Sequence, residues 1–206
     1  MNRRRLMMRY LEKSPPLVHY SSENGFEFDL SGNNVVLNRV GGTINDDGTL
    51  HLNANTYNYA YIPLKPLGIV SDGKHTIEFK FSLAADIIPE KWVFTPSASI
   101  NDGDGSGWYN SVIVGAYRTN EITVGGQGVA NITKPPGFQK DILYTLRYEY
   151  NAGVTQLSVN DAVFDYVKLY EPDVALFGKT IQANTVNHFV AEMNIHSIKI
   201  WGDTIS

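Results

Sequence analysis

"HTIEFKFSL", residues 75–83, decides the fold. Ile77, Phe79, Phe81 and Leu83 take every second position, with Thr76, Glu78, Lys80 and Ser82 between them. Side chains of an extended strand change sides at each residue, so this stretch presents one apolar face and one polar face. That is the pattern of a strand buried on one side only.

The same habit extends in both directions. Upstream, "FEFDL" (26–30) sets Phe26, Phe28 and Leu30 against Glu27 and Asp29. "TLHLNA" (49–54) follows the turn signal "NDDG", and "YNYAYIPL" (57–64) puts Tyr57, Tyr59 and Tyr61 on one side with Ala60 and Ile62 on the other. Downstream, "SVIVGAY" (111–117) and "EITVGG" (121–126) are short strands. "YTLRYEY" (144–150), "NAG" and "TQLSVND" (155–161) read as a hairpin, with Leu146, Tyr148 and Tyr150 in register with Leu157 and Val159. "NIHSIKIWGD" (194–203) alternates Ile198 and Ile200 with Lys199 and Trp201. Helical spacing is confined to residues 3–12. About a dozen short strands with such spacing predict an all-β chain of two packed antiparallel sheets.

Composition agrees. The 206 residues include 12 Tyr and 9 Phe, with 18 Gly and 9 Pro as punctuation. A single domain of this length buries roughly 70% of its unfolded surface. There is no cysteine, which excludes disulfides and thiolate metal sites. No run of about 18 apolar residues offers a membrane span. In "MNRRRLMMRYLEKSPP" (1–16), Arg9 interrupts the apolar part early, so a cleaved export signal is not expected.

Charge divides the chain. Arg3, Arg4, Arg5, Arg9 and Lys13 against Glu12 give residues 1–13 a charge of +4, and the total of −4 then leaves −8 on residues 14–206. Pro15 and Pro16 prevent a helix from running on, so residues 1–24 read as a basic arm with an extended linker and residues 25–206 as the domain. A basic arm suits nucleic acid, a membrane surface or an acidic groove on a protein. Arg3, Arg4 and Arg5 can each grip a carboxylate with two hydrogen bonds. The acidic body and the lack of interleaved aromatics make nucleic acid the lesser reading.

The loop "NDGDGSGWY" (101–109) invites a metal reading, because Asp102, Asp104, Ser106 and Gly107 match the opening of a calcium-binding hand. That hand needs a carboxylate at its twelfth position, and counting from Asp102 the twelfth residue is Ile113. The hand is rejected. Asp102 and Asp104 remain candidates for a different, loop-based calcium site, and no cofactor is expected. The five histidines, His19, His51, His75, His188 and His196, include no pair at ligand spacing.

The order "YAYIPL", "HTIEFKF", "YTLRYEYNAGVTQLSVNDAVF" and "IHSIKIWGD" resembles the laminin G-like, concanavalin A-like jelly-roll family over residues 25–203. Asp161 stands where that family usually has glycine after Val159 and Asn160. The resemblance implies a jelly-roll sandwich, and lectins of the family hold sugars in rim loops through stacked aromatics and amides. It points to Trp108 and Tyr109, and to Asn53, Asn55, Tyr57 and Asn58. The structural alternative stays open: Trp108 capping the core, and the tyrosines covering a second layer. Glucanases of the superfamily carry an E-x-D-x-x-E run that this chain lacks, with Glu78, Glu121 and Glu149 each standing alone, so no catalysis is expected.

The opening "MNRRRLMMRYL" is similar to the start of small β-rich proteins of gut bacteriophages and prophages. That implies a virion structural component, of capsid decoration, head, or tail fibre and connector type. Arg3, Arg4, Arg5 and Arg9 would anchor it to other virion proteins, and the jelly roll would face host surface glycan or copies of itself. The alternative is a bacterial carbohydrate-binding module.

Overall fold

The computed structural model describes residues 14–54, 58–68, 74–86, 91–97, 113–116, 121–126, 129–151, 154–167, 173–178 and 191–202. Their strands are β1 (Val18–Ser21), β2 (Asn38–Val40), β3 (Thr43–Ile44), β4 (Leu50–Leu52), β5 (Tyr59–Pro63), β6 (Lys74–Leu83), β7 (Lys91–Ser97) and β8 (Ile113–Ala116). There follow β9 (Glu121–Gly126), β10 (Val129–Gly137), β11 (Leu143–Asn151), β12 (Val154–Val159), β13 (Ala162–Val167), β14 (Val174–Phe177) and β15 (Met193–Gly202). Among the described residues the helical elements are two short 3-10 turns, Ser22–Asn24 and Lys65–Leu67.

The strands form two antiparallel sheets, packed as a jelly-roll-like sandwich. The first runs β13-β12-β11-β6-β15-β4-β3, with β1 also paired to β15, and the second runs β10-β9-β8-β7-β14-β5-β2. β6 sits at the centre of the first sheet as its alternation demands. Ile77, Phe79, Phe81 and Leu83 have no exposed surface, and their neighbours Tyr148, Leu146 and Tyr144 on β11 and Ile200, Ile198 and Ile195 on β15 complete the inner face. Phe79 meets Phe177 and Phe94 of the second sheet at ring-centroid distances of 5.0 and 6.2 Å, and Phe94 meets Tyr148 edge-on at 6.1 Å. Each such buried ring stabilises the fold by about 1.5–3 kcal/mol from burial alone.

The expected hairpin has its predicted register, with Leu146 opposite Val159 and Tyr148 opposite Leu157. In the next turn Asn160 takes a φ of 50°, which asparagine tolerates, and its side chain accepts the Thr145 amide at 2.8 Å. Asp161 therefore does not need to be glycine.

One strand was placed wrongly by its alternation. Residues 26–30 are not a strand: Phe26 is buried at a φ of 57° and stacks on Tyr20 at 6.3 Å, whereas Phe28 and Leu30 are 58% and 37% exposed. The cause is Asp29, whose buried carboxylate accepts the amides of His19, Ser31 and Val35 and the Ser31 hydroxyl. Four hydrogen bonds to one side chain hold a local loop in place of a ladder, and they lower the Asp29 pKa against the opposing effect of burial, which is the largest single influence on it. The strand lies earlier, at Val18–Ser21, within the stretch read as linker.

Candidate functional site

Of the residues singled out for sugar binding, Asn53 and Asn58 are described. Asn53 is exposed just after β4, and Asn58 stands just before β5, where its side-chain oxygen accepts the Gly42 amide at 3.0 Å. That bond ties the β2–β3 turn to the crossing between sheets, so the Asn58 oxygen serves the fold. Gly42 has a φ of +77°, and a Cβ there would lie 3.0 Å from the His51 carbonyl, so the turn admits little else. Asn55, Tyr57, Trp108, Tyr109, Asp102, Asp104, Arg3, Arg4, Arg5 and Arg9 lie outside the described residues.

The tyrosines of β5 supply the most sugar-like surface that is described. Ala60 and Ile62 are fully buried in the core, so Tyr59 and Tyr61 point to the opposite, outward face of the second sheet, both half-buried. Their rings stack at 6.1 Å with 28° between planes. Register places Asn38 of β2 on one side of Tyr61 and Leu176 of β14 on the other, with Thr95 of β7 beyond Leu176. Val40 is opposite Tyr59. Leu176 and Val174 are buried and form, with Tyr61 packed against them, a small apolar cluster separate from the main core. Burial and the neighbouring Tyr61 raise the pKa of the Tyr59 hydroxyl, which keeps it neutral and able to donate. The alternation in "YNYAYIPL" carried this signal, and its second-layer reading describes Tyr61.

The outward face of the first sheet is of another kind. Arg147 of β11 bonds Glu149 at 2.6 Å and lies 3.8 Å from Glu78 of β6, whose other neighbour in register is Lys199. Toward one end, Asn45 donates to Thr49 at 3.0 Å and to the Asn194 side-chain oxygen at 3.1 Å, and His51 Nδ1 meets that same oxygen at 2.8 Å. An amide oxygen only accepts, so Nδ1 carries the proton, and Nε2 faces Glu192 at 3.8 Å. His196 Nε2 contacts the Ser82 hydroxyl at 3.1 Å. Burial lowers the His196 pKa, partly offset by Asp47. These groups answer one another; among the described residues no three His, Asp or Glu side chains are grouped to hold a metal ion.

No known protein family and no curated protein matches the sequence. Solved structures do resemble the fold. The botulinum neurotoxin serotype D binding domain superposes with a TM-score of 0.59 at 14% identity, over 93% of this chain and 48% of that one. Domain 4 of a GH43 extracellular arabinanase from Geobacillus stearothermophilus, solved in complex with arabinotriose, gives 0.57 at 12% identity, over 93% of this chain and 94% of that domain. The binding domain of botulinum neurotoxin DC in complex with SialylT gives 0.56 at 12%, over 94% and 49%. The chain thus spans about half the length of the toxin binding domains and nearly all of the arabinanase domain. At such identities the likeness is one of fold: a two-sheet, jelly-roll-like β-sandwich. The laminin G and bacteriophage resemblances gain no support from these neighbours.

Proposed function

We infer that the protein is a non-enzymatic carbohydrate-binding module, and that the Tyr59–Tyr61 ledge is where it meets a glycan. The observation that carries this is the outward tyrosine stack, half-buried on a sheet face and bordered by Asn38. Tyrosine faces pack against the C–H groups of a sugar ring while amides and phenols take its hydroxyls. Two of the similar structures were solved with sugars bound, which favours this reading over a virion role. The absence of an E-x-D-x-x-E run supports binding without hydrolysis.

A glycan array probed with the full chain and with Tyr61→Ala tests it. Signals on the parent that vanish in the variant, with binding kept in EDTA, are expected; signals that survive in the variant remove the ledge from the proposal. The virion reading keeps one observation of its own, the +4 charge of residues 1–13. Deleting residues 2–13 would abolish incorporation into a particle if Arg3, Arg4, Arg5 and Arg9 anchor the protein, and equal incorporation would refute the anchor.

A further inference from the structure

The ledge is set apart by its lack of charge. Along the outward row Asn38, Tyr61, Leu176 and Thr95 every side chain is neutral, and so is the adjacent pair Val40 and Tyr59. The cations closest in sequence belong elsewhere. Arg39 is opposite core-facing Ala60, so it lies on the other side of β2, toward Tyr20, whose hydroxyl pKa is raised chiefly by burial with the Arg39 charge a small opposing influence. Lys65 begins the 3-10 turn beyond β5. On the first sheet, by contrast, Lys80, Arg147 and Lys199 occupy outward positions, with Glu78 between the latter two.

Resting on the glycan reading above, we propose that this ledge selects uncharged oligosaccharides and discriminates against those carrying a carboxylate, such as sialylated ones. A carboxylate seated against tyrosine faces gives up water, and that loss is recovered only if a cation or several donors replace it. No cation stands on the ledge among the described residues, and the −8 charge of residues 14–206 adds a repelling field. Neutral hydroxyls give up far less, and they find in exchange the Tyr61 phenol and the side-chain oxygen of Asn38, whose amide nitrogen donates to the Val36 carbonyl at 3.4 Å.

The test uses the full chain against matched pairs of oligosaccharides that differ only in a terminal sialic acid, with arabinotriose as a further neutral probe. The uncharged member of each pair is expected to bind at least about tenfold more tightly, as an unanswered charge at a contact demands. The gap should narrow as salt is raised. Asn38→Lys, which sets a cation beside Tyr61, should bring the sialylated member to within about threefold. Sialylated glycans binding the parent as tightly as their neutral partners, with both lost in Tyr61→Ala, would overturn the selectivity and leave the ledge standing. Failure of every glycan to bind would overturn the ledge and the selectivity together.

Discussion

The outer faces of the two sheets solve the problem of meeting water differently. On the first sheet, Glu78, Arg147 and Glu149 hold one another, and Asn45 and His51 Nδ1 both donate to the Asn194 side-chain oxygen. A surface whose polar groups are already answered from within offers a ligand little to gain. On the second sheet, Leu176 and Val174 face outward yet are buried, and the tyrosine stack stands half-covered beside them. Apolar residues buried on the side away from the main core form a second packed layer there. Beside the half-buried rings of Tyr59 and Tyr61, no charged side chain stands among the described residues in register with them.

The sharpest way to break this contrast is Leu176→Ala. If the outward cluster is a packed part of the structure, urea unfolding should show a loss of about 2–4 kcal/mol, as for a core leucine. A loss under about 0.5 kcal/mol would make it an ordinary surface position.

Acid should act next most strongly, and through the first sheet. His75 is buried, stacks on Tyr150 at 5.1 Å, meets Tyr148 tilted at 5.9 Å, and finds no hydrogen-bond partner for either ring nitrogen among the described residues, and burial lowers its pKa from 6.5 to about 4. The unfolded chain takes up this proton first. Stability is therefore unaffected by His75 above about pH 6.5 and falls as pH drops from there to about 4, by roughly 3 kcal/mol in all. His19 and His196, also lowered by burial, act in the same sense to a smaller degree. Melting temperature followed from pH 7 to pH 4 should show this slope in the parent and a shallower one in His75→Phe.

Tyr61→Ala addresses the second face directly, with glycan affinity falling at least about tenfold, or about 1.4 kcal/mol, by calorimetric titration. The smallest effect belongs to Arg147→Ala. Its loss should cost about 1 kcal/mol or less in urea unfolding, shrink further in high salt, and leave glycan affinity unchanged. A change in affinity there would mean that the ion-paired face also takes part in binding.

Much of the sandwich was legible because alternation is a local property. The four apolar residues of β6 and the register of β11 with β12 follow from residues close in sequence. β7 and β10 were hidden by proline. Pro96 lies beyond Phe94, where pairing with β8 ends, and Pro135 and Pro136 lie on an edge strand, so none interrupts a ladder on both sides. The false strand at 26–30 alternates well, but Asp29 accepts three backbone amides and the Ser31 hydroxyl, which no periodicity registers. β15 contains a bulge between Ile195 and Ser197, which lets Ile195 and Ile198, three apart, share the inner face. For the site, the two-sided pattern of "YNYAYIPL" foretold outward tyrosines. It could not tell that Leu176 would lie beside Tyr61, since that contact joins residues far apart in the chain.

β1 lies against β15, with Val18 opposite Ile200 and the Leu17 amide bonded to the Ile200 carbonyl at 2.7 Å. The chain thus enters and leaves the sandwich one strand spacing apart, about 4.8 Å. A unit built this way can be spliced into a surface loop of an unrelated host without prising that loop open, and its strands can be reordered by joining old ends and cutting new ones. The tyrosine ledge would travel with it unchanged.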